Sequence, residues 1–204
     1  MSRPCRTALL AVTALLLTAG AAAAQACLGI PSRDGQIALA GAYTRMNDFD
    51  AVGGEFHVDV SGPASFGFAY SRDFARASTG DADDVNSFEA RLAYELFLVD
   101  PSVCAVAGVR YLDAPVERLG VPVGFGFGKT LRGDRLSATI YGLPQYVWLR
   151  QDLIGSDDVE TSNEFMAEAG VTLGFLPFFV GGAVVVSTMD DDDARFRLRA
   201  GFLF

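Results

Sequence analysis

The chain of 204 residues carries 16 basic and 25 acidic side chains, which gives it a net charge of −9. This acidic balance excludes nucleic-acid binding as a main role, because phosphates require a basic protein face. The length fits one domain, and a mean hydropathy of +0.28 with 50% hydrophobic residues is high for a soluble domain of this size.

Residues 1–26 are predicted to be a secretory signal peptide. A short positive region precedes the apolar run Ala8–Ala19, which is too short to be a stable transmembrane helix. The small residues that follow allow cleavage after Ala24 or after Ala26. The exported domain is predicted to span residues 27–204.

The cysteines of the exported domain form an even pair. Cys5 leaves with the signal peptide, so that Cys27 and Cys104 remain, and such a pair in an exported chain favours a disulfide. Lipidation of Cys27 is the weaker alternative, because Gln25 departs from the small apolar residues that favour it. Two thiols and the single histidine, His57, are too few for a metal site, and no metal is predicted.

After the signal peptide, the chain alternates apolar and polar residues with a period of two, which is typical of half-buried strands. No segment sustains the helical period of about 3.6 residues. The predicted segments are close in length to a tilted transmembrane strand, which requires about 9–11 residues. We predict ten strands, with eight as the alternative count, over residues 35–46, 51–61, 64–74, 86–98, 103–112, 118–129, 136–150, 162–175, 177–188 and 194–204.

Two segments show the chemistry of the two strand faces. In residues 87–98, SFEARLAYELFL, apolar side chains alternate with Glu89, Arg91 and Glu95. In residues 195–204, RFRLRAGFLF, three arginines alternate with apolar residues. A soluble sandwich that buries its apolar face would show the same alternation.

The connections between the strands favour a membrane barrel over a sandwich. Every second connection is short, such as 61–63 and 176–177, whereas those between them include the longer or strongly acidic segments 75–85, 151–162 and 189–193. Short turns at one rim and longer loops at the other are typical of outer-membrane barrels. An even strand number also returns the chain to the side on which it began.

The signal peptide, the even strand count, the loop asymmetry and the aromatic end of the last strand together resemble the small outer-membrane β-barrels of the OmpA and opacity type. The resemblance covers the whole exported domain. It implies an all-β, up-and-down antiparallel transmembrane barrel in the bacterial outer membrane, in contact with outer-membrane lipids. It also implies folding by the barrel-assembly machinery and periplasmic chaperones, with Phe202 and Phe204 as the assembly signal.

The polar strand faces are expected to line the lumen, where opposite charges should pair because unpaired buried charges are costly. Such pairs would occlude a narrow barrel, although glycines and alanines of the fifth, sixth and ninth strands leave room for a polar pore along one wall. The predicted lumen charge network comprises Glu55, His57, Asp59, Glu89, Arg91, Glu95, Arg110, Glu164, Glu168, Arg195, Arg197 and Arg199.

The predicted topology places both exported cysteines at the periplasmic rim. Cys27 precedes the first strand, and Cys104 opens the fifth strand just after a short turn. A Cys27–Cys104 disulfide is therefore expected to tether the N-terminal segment near the mouth of the barrel.

Three motifs are weak as catalytic or binding sites. Gly128-Lys129-Thr130 lacks the earlier glycine of a phosphate-binding loop, since that position is Val123. His57 lies inside a strand with no serine motif beside it, so that a packing role is favoured. The acidic loops lack the spacing of a calcium-binding loop and are expected to be solvated. They contain Asp81, Asp83, Asp84, Asp157, Asp158, Glu160 and Asp190–Asp193.

We predict from the sequence a monomeric, non-enzymatic outer-membrane barrel with a structural, adhesive or surface-protective role and without a cofactor. A narrow channel for ions or small solutes is the main alternative. A membrane-embedded hydrolase or acyltransferase and a soluble periplasmic ligand-binding barrel are further alternatives.

Overall fold

The computed structural model describes residues 24–31, 37–46, 49–60, 63–75, 85–97, 101–113, 117–152, 159–188 and 194–204. Of the predicted signal peptide, residues 1–23 lie outside the described residues, and residues 24–26 are described. The acidic loop residues Asp81, Asp83, Asp84, Asp157, Asp158 and Asp190–Asp193 also lie outside the described residues.

The described residues form one short helix and ten antiparallel strands. Each strand pairs with its neighbours in sequence, and β1 pairs with β10, so that the sheet is a closed barrel. The predicted fold class and strand count are confirmed, and the eight-strand alternative is wrong. The elements are α1 (Ala24–Cys27), β1 (Ile37–Arg45), β2 (Phe49–Val60), β3 (Ala64–Ala75), β4 (Val85–Phe97), β5 (Ser102–Asp113), β6 (Glu117–Arg132), β7 (Ser137–Asp152), β8 (Val159–Phe175), β9 (Phe178–Ser187) and β10 (Arg195–Leu203).

The last residue of the chain takes part in closing the barrel. The Phe204 N–H donates to the Ile37 carbonyl at 2.9 Å, and the Ile37 N–H donates to the Phe204 carbonyl at 3.2 Å. The β1–β10 ladder continues from there to the Arg45–Phe196 pair. Closure pairs the backbone groups that an open sheet would leave exposed at its edges, as a lipid environment requires.

The outward face of the barrel is apolar. On β3, Phe66, Phe68 and Tyr70 are exposed, and similar exposed apolar side chains occur on every strand. On β7 the outward rings of Tyr146 and Trp148 contact each other edge to face, with centroids 5.0 Å apart. So large an exposed apolar surface requires lipid, which identifies the fold as a transmembrane barrel and rules out the soluble alternative.

Within the described residues, no helix has the length and apolar character needed to cross a membrane. The ends of the barrel are named here by their connections. The turn end carries the β2–β3, β4–β5, β6–β7 and β8–β9 connections, and the loop end carries the other five.

Candidate functional site: a plugged lumen below a vestibule

The N-terminal residues 24–31, called here the plug segment, lie inside the barrel at its turn end. Gln25, Cys27 and Ile30 are each 0% exposed. Helix α1 ends at Cys27, and Gly29 shortly after it has a φ of +73°. The Gly29 N–H donates to the Ala26 carbonyl at 3.0 Å, and the Ile30 N–H donates to the Gln25 carbonyl at 3.1 Å. This pair of bonds is a Schellman motif, in which glycine adopts the left-handed conformation at no steric cost.

Glycines on β6 make the space that the plug segment occupies. A Cβ atom added to Gly126 would lie 2.7 Å from the Cys27 Cβ, and one added to Gly128 would overlap the Ala26 carbonyl group. From the sequence, this room on the lumen wall allowed a polar pore as an alternative to an occluded lumen. The structure fills it with the chain's own N-terminal segment, because only glycine lets that backbone approach the strand.

A disulfide joins the plug segment to the barrel wall. Cys27 and Cys104 are bonded with their Cα atoms 6.3 Å apart, and both side chains are fully buried. The predicted pairing is confirmed, but the tether lies inside the lumen and not at the rim. Leu28 packs in the same apolar cluster as Val106 and Leu143 of the wall.

The position of the predicted cleavage would decide how much of the plug segment the exported chain keeps. The Gln25 carbonyl accepts hydrogen bonds from Leu28 and Ile30, and the Ala26 carbonyl accepts one from Gly29. Of the two predicted cleavage positions, only the one after Ala24 leaves both carbonyls in the exported chain.

Arg199 on β10 clamps the plug segment from the opposite wall. Its Nη2 donates to the Gly29 carbonyl at 2.6 Å and its Nη1 donates to the Leu28 carbonyl at 3.3 Å. Thr172 on β8 also donates to the Gly29 carbonyl, at 2.7 Å, and accepts from Arg199 at 3.1 Å. The guanidinium group lies over the Tyr141 ring, 5.1 Å from its centroid. Charge-assisted bonds therefore satisfy carbonyls of the plug segment that would otherwise be buried without partners.

Above the plug segment, buried charges of both signs form an ion cluster. Arg197 Nη1 lies 3.3 Å from Glu168 and 4.0 Å from Glu55, and Arg199 Nη1 lies 3.7 Å from Glu55. Arg91 pairs with Glu168 at 3.6 Å and with Glu89 at 2.5 Å. The members of the ion cluster are Glu55, His57, Glu89, Arg91, Glu168, Arg197 and Arg199.

Hydrogen bonds complete the ion cluster at two points. The Tyr141 hydroxyl donates to Glu168 at 2.8 Å, and His57 Nε2 lies 3.4 Å from Glu55. Three carboxylates thus alternate with three guanidinium groups, which offsets the desolvation that burial imposes on each charge. The ion cluster fills the lumen directly above the plug segment.

The structure places the other five predicted lumen residues outside the ion cluster. Asp59 and Glu95 are buried at the turn end, where Asp59 pairs across strands with Ser65 and Glu95 with Cys104. The remaining three, Arg110, Glu164 and Arg195, line a cavity at the loop end.

This loop-end cavity, called here the vestibule, has a volume of about 390 Å³. That size falls within the roughly 300–1,000 Å³ typical of small-molecule sites. Its lining combines apolar and charged side chains. The vestibule is lined by Met46, Phe49, Asp73, Val85, Arg110, Leu112, Arg118, Gly120, Val147, Leu149, Glu164 and Arg195.

The vestibule holds charges of both signs and one guanidinium nitrogen without a hydrogen-bond partner. Asp73 is attracted by both Arg110 and Arg195, while these two guanidinium groups repel each other. Glu164 accepts a short hydrogen bond from Ser187. The buried Nε of Arg110 has no hydrogen-bond partner. Since Arg118 adds a third cation, the described lining carries three positive and two negative charges.

Sequence reasoning missed the plug segment and the residues that hold it. Tyr141 and Thr172 are ordinary lumen positions in the alternation pattern, and only the fold brings them to Gly29. A local signal did exist, because Gly29 directly follows a short run able to form one helical turn. Gly126 and Gly128 belong to the glycines of the sixth strand that, in the sequence, allowed a pore as the alternative.

In the ranges that the structure describes, no three histidine, cysteine, aspartate or glutamate side chains are grouped closely enough to hold a metal ion. His57 is buried beside Gly67 and Glu55. Phe202 lies on the lipid face, with its ring centroid 4.9 Å from that of Phe178, and Phe204 lies next to it on the same face. The role of Phe202 and Phe204 as an assembly signal stays a prediction.

No protein-family model matches the sequence, and no curated protein matches it. Solved structures with a similar strand arrangement include the N-terminal β-barrel domain of Pseudomonas aeruginosa OprF, with 14% identity, a TM-score of 0.40, and 83% of this chain and 98% of that chain covered. The outer membrane protease OmpT from Escherichia coli has 10% identity, a TM-score of 0.46, and 84% and 96% coverage. LpxR from Salmonella typhimurium has 8% identity, a TM-score of 0.47, and 83% and 100% coverage. Likenesses this distant do not carry an activity or a ligand over to this chain.

Proposed function

We propose that the protein is a closed, non-conducting barrel of the bacterial outer membrane that acts at the cell surface, in a structural, adhesive or surface-protective role and without catalysis. In this proposal the turn end faces the periplasm and the loop end faces outward. The observation that carries it is the plug segment, which fills the turn end of the lumen and is fixed there by a disulfide and by Arg199.

Two successive barriers support a closed lumen. A solute that entered from the loop end would first meet the ion cluster, where each carboxylate lies within 4.0 Å of a guanidinium group. It would then meet the plug segment, whose Ile30 packs against Ala38, Phe179 and Leu203. Passage would require buried ion pairs to separate and an apolar seal to open, and both steps are costly.

Planar-bilayer recording of the purified full-length protein, first shown to be folded by heat-modifiable migration on a detergent gel, tests the closed state. We expect no reproducible single-channel steps at any voltage. Steps seen with the oxidised, folded protein would contradict the proposal.

A narrow channel is the second candidate, and one observation favours it. Two small cavities of about 40 and 20 Å³ continue from the vestibule along the small residues of β2, β3 and β4. The vestibule and the first of them share Arg110, and the two small cavities share Glu55, Glu89 and Arg197. They end beside His57, above the plug segment, so that a channel requires the plug segment to leave.

The disulfide separates these two candidates. If the plug segment is a gate, reduction of Cys27–Cys104 in the bilayer chamber should produce steps that disappear on reoxidation. A permanently closed barrel should stay silent under both conditions. A variant in which both cysteines are replaced by serine serves as the control, because its behaviour should not change with reductant.

The absence of catalysis in the proposal rests on the position of His57. Its Nε2 contacts Glu55 within the ion cluster, and the side chain is only 8% exposed, which suits packing better than attack on a substrate. We expect His57→Ala to leave any lipid or peptide turnover of the preparation unchanged. Loss of a turnover that the wild type performs would establish a histidine-dependent enzyme instead.

A further inference from the structure

We infer that the vestibule is a binding site for a small amphiphilic anion, namely an aryl or alkyl group that carries a phosphate or a carboxylate. The inference goes beyond the proposed function, and it does not depend on a closed lumen, because the residues that line the vestibule lie at the loop end and none of them belongs to the plug segment.

The preference for an anion follows from the pairing of the charges. Both carboxylates of the vestibule are already engaged, Glu164 by Ser187 and Asp73 by the electrostatic attraction of Arg110 and Arg195. The Arg110 guanidinium group is not saturated, since its buried Nε has no hydrogen-bond partner, and it repels the Arg195 guanidinium group. An anionic oxygen placed between these two guanidinium groups would satisfy the free donor and relieve the repulsion.

The preference for an apolar body follows from the rest of the lining. Six apolar side chains, from Met46, Phe49, Val85, Leu112, Val147 and Leu149, surround the charged groups. Val147 and Leu149 are backed by the buried side chains of Met166 and Val185, which makes this wall continuous. A purely polar ion would leave that wall in contact with water, whereas an aryl or alkyl group would cover it.

Neither feature occurs in this form elsewhere among the described lumen residues. The cations of the ion cluster are matched one for one by carboxylates, and the apolar residues around the plug segment are already covered by it. Within the part of the lumen that the structure describes, the vestibule joins a guanidinium group with an unpartnered Nε to an apolar wall in a space large enough for a small molecule.

Fluorine NMR of the full-length protein in a maltoside detergent tests the inference with three probes. These are para-trifluoromethylphenyl phosphate, para-trifluoromethylbenzoate, and the neutral para-trifluoromethylbenzyl alcohol, which reports partition into the micelle. We expect saturable binding of at least one anionic probe and only linear partition of the alcohol. The two anionic probes show whether phosphate or carboxylate is preferred.

Substitutions place the binding in the vestibule. Arg110→Gln and Arg195→Gln should each lower the affinity for the anionic probe by roughly tenfold or more, which is the effect of losing a charge-assisted hydrogen bond. Arg150→Gln, which removes an exposed arginine from the outward face of β7, should leave it unchanged. If Arg110→Gln fails to fold by the gel-shift test, Arg118→Gln at the exposed rim of the vestibule replaces it, with a smaller loss expected.

Three results would overturn the inference. These are the absence of saturable binding by either anionic probe, equal binding of the neutral alcohol, and affinities in the vestibule variants that match that of Arg150→Gln. None of them depends on conductance, so that a failure here is distinguishable from a failure of the proposed closed state.

Discussion

The two ends of the lumen are filled in different ways. At the turn end, the chain's own N-terminal segment occupies the space, and a covalent bond and charge-assisted hydrogen bonds fix it in place. At the loop end, the same barrel encloses a vestibule of about 390 Å³ that no described residue fills. Glycines occur in the wall at both ends, Gly126 and Gly128 beside the plug segment and Gly120 in the vestibule, so that glycine alone does not decide which end the N-terminal segment occupies.

The difference shows that a separate segment, in addition to the wall side chains, occupies the lumen at the turn end. Near the plug segment the barrel wall leaves extra room, because Gly126 and Gly128 have no side chains there. Changes at the turn end should therefore alter stability and the seating of the plug segment. Changes at the loop end should alter binding and leave stability nearly intact.

The largest effect is expected from Arg199→Met. Removal of this guanidinium group leaves the Leu28 and Gly29 carbonyls and Glu55 with fewer buried partners. Breaking a buried ion pair in this way costs about 3–5 kcal/mol of unfolding free energy. Urea unfolding in detergent should show the loss, and the Cys27–Cys104 disulfide should be reduced faster by a phosphine reductant in the folded protein.

Arg197→Met is the matched control for this change. It also removes a buried guanidinium group from the ion cluster, but the Arg197 guanidinium group pairs with Glu55 and Glu168 of the barrel wall. It should lower stability without speeding reduction of the disulfide. Equal acceleration in both variants would show that Arg199 does not hold the plug segment.

The double replacement Cys27→Ser with Cys104→Ser should have the next largest effect. The disulfide closes a loop with a sequence separation of 77 residues. Loss of such a cross-link typically lowers the unfolding free energy by roughly 2–4 kcal/mol, since the unfolded chain regains its freedom. The measured urea midpoint of the variant should match that of the reduced wild type, and a clear gap between the two would contradict this explanation.

Gly128→Val and Gly142→Val compare the two faces of neighbouring strands. A Cβ atom at Gly128 would overlap the plug segment, whereas one at Gly142 meets no atom within 4 Å on the lipid face. Overpacking should cost Gly128→Val about 1–3 kcal/mol and expose the plug segment to protease. Gly142→Val should be nearly neutral in the same urea and proteolysis measurements, and equal losses in both variants would mean that plug contact is not the cause.

The barrel itself could be predicted from the sequence, because each strand contributes its own alternation and no distant contact is needed to recognise it. The pattern in residues 195–204 was sufficient to place Arg195, Arg197 and Arg199 inside and Phe196 and Phe202 outside. Closure of β10 on β1 then follows from the need to pair both edges.

The plug segment could not be predicted in the same way. Its position depends on contacts between residues far apart in the chain, such as Gly29 with Arg199, which no local period records. The division of the lumen charges between ion cluster and vestibule also depends on strand register. Arg110 and Arg91 are alike in sequence pattern, yet Arg91 meets two carboxylates within 3.6 Å and Arg110 keeps an unpaired Nε.

The smallest effect, and the only stabilising one, is expected from Gln145→Leu. Gln145 lies on the lumen face of β7 next to Val147, is 1% exposed, and has no hydrogen-bond partner on either amide atom. Leucine of similar volume would remove this unsatisfied amide and extend the apolar wall of Val147, Leu149 and Met166. Because a buried polar group without a partner is penalised by roughly 1–3 kcal/mol, we expect a gain of about 1 kcal/mol in the urea unfolding free energy. Thr172→Val is the contrasting control, since its hydroxyl donates to Gly29, and it should lose stability. If Gln145→Leu loses as much stability as Thr172→Val, the Gln145 amide has a hydrogen-bond partner in the folded barrel, and this position of the lumen wall requires a polar side chain.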